Sequence, residues 1–133
     1  MFILLLPACR SEAPRPVEIE SGDMCSLCKM AISQKPFAAE IVDKEENVHK
    51  FDDIGCMLRF VSERGMKDRV KAYFVMDYDG KGWLAAESAY YVRSEALHTP
   101  MGGGLLAVKD RSRAEDYLRK FSGQVLVFGD LVR

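Results

Sequence analysis

Phe37-Ala38-Ala39-Glu40-Ile41-Val42, then Asp43-Lys44-Glu45-Glu46-Asn47, then Val48-His49-Lys50-Phe51 is the stretch on which a reading of the fold turns. The two outer segments are strand-like, and the charged run between them is turn-like. Past Asp52-Asp53, the apolar residues Ile54, Met57, Leu58 and Val61 fall at i, i+3, i+4 and i+7, one face of a helix. Asp52 or Asp53 is placed to cap that helix, and Gly65 to end it. Val70-Lys71-Ala72-Tyr73-Phe74-Val75-Met76 then reads as a strand closing in the turn Asp77-Tyr78-Asp79-Gly80. The order is strand, strand, helix, strand.

The same order recurs downstream. Tyr90-Tyr91-Val92 and Leu105-Leu106-Ala107-Val108 are strand candidates, and Ala114, Tyr117, Leu118 and Phe121 repeat the helical spacing. Ser112 and Glu115 are spaced as a capping box, Gly123 stops the helix, and Val125-Leu126-Val127-Phe128 is the last strand. Phe51-Asp52-Asp53 before one helix corresponds to Val108-Lys109-Asp110 before the other. The expected fold is α+β, two similar ββαβ units packed as one small protein, the first over 23–80 and the second over 81–133. One difference separates the halves. The short hairpin of the first is replaced by Ser94-Glu95-Ala96-Leu97-His98-Thr99-Pro100-Met101-Gly102-Gly103-Gly104, whose glycine run costs backbone entropy and needs a reason.

Ahead of both units, Asp23-Met24-Cys25-Ser26-Leu27-Cys28-Lys29-Met30 packs two thiols and two thioethers into eight residues. Thiolate and thioether are soft donors that select Cu(I) over harder divalent ions. Cys25 and Cys28 alone also fit a redox pair, a disulfide or half of a zinc site. Zinc would need Cys56 with His49 or His98 to complete a set of three cysteines and one histidine. Cys56 reads otherwise as a small buried hydrophobe on the Phe60 side of its helix. Met101 and His98 in the glycine-rich loop are further donors, with core packing and solvent exposure as their plainer readings.

The chain opens on Phe2-Ile3-Leu4-Leu5-Leu6, too short to span a bilayer, followed by Leu6-Pro7-Ala8-Cys9. This looks like a lipobox, with residues 1–9 as a leader ending at a lipidated Cys9 and 10–22 as a polar, proline-containing tether. The basic segment that usually opens such a leader is missing, which leaves the start codon open. An extracytoplasmic, lipid-anchored protein is expected, periplasmic where there are two membranes. Lipidation of Cys9 leaves three cysteines, an odd number that does not suit a pure disulfide framework. A net charge of −1 gives no electrostatic ground for a nucleic-acid partner.

Taken in order, Cys9, the Asp23–Met30 motif, Lys50-Phe51-Asp52-Asp53, Pro100-Met101-Gly102-Gly103 and Gly123-Gln124-Val125-Leu126-Val127-Phe128 resemble the NosL family, lipoproteins encoded with nitrous oxide reductase. The likeness runs from about Asp23 to Phe128, with Lys29 standing where many members have glycine. It implies a Cu(I)-binding accessory protein that supplies copper to the multicopper centre of that reductase, and a fold of two ββαβ units. Carried over, Cys25, Cys28, Met30 and Met101 are the expected metal ligands, two or three sulfurs at a time, with Met24 and His98 second. The rival readings are an extracytoplasmic thiol–disulfide protein using Cys25 and Cys28, copper delivery to another cuproenzyme, and a metal-free anchored scaffold. No acid–base set or phosphate-loop spacing accompanies the motifs, so enzyme activity is not expected.

Overall fold

The computed structural model describes residues 12–132; Cys9 and the expected leader lie outside them. Strands β1 (Ala39–Asp43) and β2 (Val48–Phe51) form the first hairpin, followed by helix α1 (Ile54–Glu63), β3 (Val70–Met76) and a short β4 (Trp83–Ala85). The second half contributes β5 (Tyr90–Arg93), β6 (Leu105–Val108), helix α2 (Arg111–Phe121), β7 (Gln124–Val127) and a one-turn helix α3 (Phe128–Leu131). The first sheet has the order β2-β1-β3-β4 and the second β6-β5-β7, with all pairings antiparallel. In each unit the opening strand is therefore central, flanked by its hairpin partner and by the strand after the helix. The ββαβ order read twice from the sequence is the architecture observed.

Alternation along the strands explains how the halves join. In β5 and β6, Tyr91, Leu105 and Ala107 pack into the core built from the first sheet and α1. Their neighbours Val92, Leu106 and Val108 pack with Ala114 of α2. Successive side chains point to opposite faces, so the second sheet is covered on one side by the first unit and on the other by its own helix. Leu105–Val108 accordingly contains no exposed residue.

Of the two candidate caps for α1, Asp53 takes the role through Gly55 N–H and Asp52 does not. Other details depart from the sequence reading. Helix α2 begins two residues after Lys109, with Asp110 at its N-cap, so Ser112 lies inside the helix and the Ser112–Glu115 capping box does not form. Glu115 is instead 3.4 Å from the Arg111 guanidinium one turn away. The last strand stops at Val127, and Phe128 opens α3, where its ring packs 5.1 Å from Tyr73. Strand β4 has only three residues, too few for a periodic signal, and it pairs with β3 of the first sheet.

The N-terminal segment matters for the site. Ile19 is buried, Val17 N–H donates to the Glu40 carboxylate at 2.6 Å, and Lys50 Nζ holds the Glu18 carbonyl at 3.0 Å. Part of the stretch read as tether is thus laid against the first sheet. Among the described residues no helix is long and apolar enough to cross a membrane.

Candidate metal centre

The motif folds into a tight loop. An isolated antiparallel bridge joins Met24 to Ala31, Cys25 N–H donates to the Met30 carbonyl at 2.9 Å, and Lys29 N–H donates to the Cys25 carbonyl at 3.0 Å. Lys29 adopts φ 65°, the left-handed conformation that favours glycine. The lysine does not loosen the turn; it accepts a backbone conformation costing about 1 kcal/mol. Ser26 N–H reaches the Lys50 carbonyl at 2.8 Å, which seats the loop on the end of β2 just before Asp52.

This seating gathers Cys25, Cys28, Asp52 and Cys56, whose ligand atoms all lie within 4.8 Å of one another. Cys25, Asp52 and Cys56 are buried, and Cys28 is the partly exposed member. The Cys28 thiol donates to both Asp52 oxygens, at 3.7 and 3.6 Å. Burial pushes the Cys28 thiol up, with the neighbouring Cys25 and Asp52 adding to the effect. Burial likewise raises Cys56, again reinforced by Cys25 and Asp52. Crowded would-be anions resist deprotonation until a cation arrives, so metal binding here releases protons and weakens as pH falls.

Of the expected ligands, Cys25 and Cys28 are brought together. The thioethers lie at the surface: Met30 is 59% exposed on the turn that closes on Cys25, Met24 56%, and Met101 41% in the glycine-rich loop. His98 is exposed and stands outside the thiol cluster, as does His49, whose Nε2 pairs with Asp43 at 3.1 Å. Asp52 was not among the ligands read from the sequence, and Cys56 entered only in the zinc alternative and otherwise as a buried hydrophobe. One signal did exist: a helix needs one capping carboxylate, and Asp52-Asp53 offers two, with a cysteine three residues beyond the second.

The fold and the site define a small α+β protein presenting a thiol cluster backed by a carboxylate, a donor set suited to a soft metal ion. The profile of the NosL family matches residues 16–133, and the chain belongs to that family. The chain is also similar to a solved structure described as the copper chaperone NosL from Shewanella denitrificans, with a TM-score of 0.80 at 21% identity, covering 87% of this chain and 94% of that one. At that identity the likeness speaks for the fold. No curated protein matches the sequence.

Proposed function

We propose that this protein is a Cu(I)-binding lipoprotein that acts as a copper chaperone in maturation of the copper centre of nitrous oxide reductase. The observation that carries the copper reading is the convergence of Cys25 and Cys28, in a loop flanked by exposed methionines, with Cys56 of α1, all within 4.8 Å. Thiolates of Cys25 and Cys28 hold the ion with thioether help from Met30 and Met101, and Met24 and His98 are secondary donors. A carrier that must release its cargo is served by surface thioethers, which exchange easily and need lose no proton. Membership of the NosL family supports nitrous oxide reductase as client; delivery to another cuproenzyme is the alternative. The thiol–disulfide reading is the further alternative, and it requires the reduced protein to reduce a model disulfide.

The reduced chain is expected to hold one Cu(I) far more tightly than Zn(II), as competition with a Cu(I) chelator and a zinc indicator will measure. Equal or tighter zinc retention overturns the copper reading. The proposed anchor at Cys9 places the protein on the extracytoplasmic face of the membrane. Replacing Cys9 with serine should release it into the soluble extracytoplasmic fraction with metal binding intact. A variant that stays with the membrane would exclude that anchor.

A further inference from the structure

The Met101 end of the glycine-rich loop is held by one buried carboxylate. Asp53 is 1% exposed, and its Oδ1 accepts Gly55 N–H at 2.7 Å, which is all that capping α1 requires. Its other oxygen serves a segment 46 to 50 residues later, accepting from Thr99 Oγ1 at 2.6 Å, Met101 N–H at 3.0 Å and Gly103 N–H at 3.4 Å. Thr99 Oγ1 in turn accepts Gly104 N–H at 3.1 Å, closing the loop on itself.

The backbone is shaped to allow this approach. A Cβ on Gly103 would stand 2.4 Å from Asp53 Oδ1 and 3.2 Å from Gly55 Cα, and a Cβ on Gly55 would stand 3.2 Å from Gly103 Cα. The two glycines therefore meet backbone to backbone, one next to Cys56 and the other two residues after Met101. The Met101 side chain is 41% exposed, so its own packing does not fix it. Leu97 anchors the start of the loop in the second core, and the polar clamp holds the Met101 end. The neighbouring carboxylates also divide the work, Asp52 facing the Cys28 thiol and Asp53 the loop.

We propose that Asp53 is the positioning residue of the copper site: it fixes the Met101 thioether relative to the helix bearing Cys56, so that the second ββαβ unit contributes a donor to a centre built on the first. This rests on the copper reading above. Asp53→Asn suits the test because asparagine caps helices as well as aspartate yet cannot accept the same set of loop donors. Cu(I) affinity of the reduced full chain is to be measured by chelator competition for the wild type, Asp53→Asn, Met101→Ala and the double variant. Both single variants should lose affinity by about 10- to 100-fold, the usual effect of removing a group that orients a ligand. The double variant should be no weaker than Met101→Ala alone, since both changes remove the same donor. Losses that multiply would overturn the proposal, because a purely structural effect of Asp53 adds to that of Met101. So would wild-type affinity in either single variant. If Asp53→Asn fails to fold, Thr99→Val replaces it in the cycle, with a smaller loss that must also vanish when Met101 is alanine. A wild-type chain that does not bind Cu(I) at all overturns the copper reading and the clamp together; normal binding with an unaffected Asp53→Asn overturns the clamp alone.

Discussion

Cys25→Ser is expected to lower Cu(I) affinity by more than about 100-fold, exceeding the effect of changing a residue that merely orients a ligand. Cys25 lies on the motif loop, is fully buried, and has its sulfur within 4.8 Å of the ligand atoms of Cys28, Asp52 and Cys56. Serine keeps the side chain's size and removes the soft donor, and unfolding of the metal-free variant reports the cost of burying its hydroxyl in the core. Cys56→Ala separates the two readings of that residue. Cys56 is 1% exposed in the core, so its truncation lowers unfolding free energy under either reading. If it is a donor, Cu(I) affinity of the folded protein falls as well; if it only packs, that affinity stays put. Chelator competition and urea unfolding of the same metal-free preparations will decide, and a Cys25→Ser variant within threefold of wild-type affinity would remove that thiol from the site.

Glu40→Gln is expected to stabilise the protein at pH 8 by up to about 3 kcal/mol and to flatten the dependence of stability on pH. Glu40 is fully buried in the central strand β1, and its Oε2 has no hydrogen-bond partner among the described residues. Burial pushes its carboxyl up to about 7 from 4.5, against the Val17 N–H bond and the Lys50 charge, while Glu18 and Asp23 push it further up. The folded state thus binds the Glu40 proton more tightly than the unfolded chain does. That contribution is fully present below about 4.5 and is lost as pH rises through about 7. On the acid side Asp79 works in the opposite sense. The Arg113 guanidinium, at 2.9 Å, and the Tyr117 hydroxyl hold Asp79 at about 2, so its contribution is lost only as pH falls through about 2. Denaturant unfolding across pH 2 to 9 checks both; an unchanged alkaline slope in Glu40→Gln would assign that slope to another group.

The sequence revealed the repeated order of elements because two helices carry clean i, i+3, i+4, i+7 faces and their flanking strands are apolar. It did not reveal β4, whose three residues make no period, nor the end of β7, because Phe128 is as apolar in a strand as at the start of α3. At the site, Cys25 and Cys28 were legible from spacing, which is a local property. Cys56 was not, because its meeting with them depends on the docking of residues 23–32 against the end of β2, a contact between segments with no shared periodicity. The doubled aspartate was open to reading, but only the fold shows that Asp53 serves the helix and the distant loop while Asp52 serves the thiols.

The attachments of residues 17–23 also bear on how load travels through the molecule. A pull arriving from the N-terminal side meets Val17 on Glu40 and Glu18 on Lys50 before it reaches Cys25, and the Lys50 ammonium also grips Asp23 at 2.6 Å. These grips lie on adjacent strands of one sheet, β1 and β2, which pair along Ala39–Val42. Force is therefore diverted into the sheet before it reaches the loop that holds the thiols. The segment works like the cord grip on an electrical cable: whatever tugs at the chain ahead of Val17, the terminals behind it stay where they are.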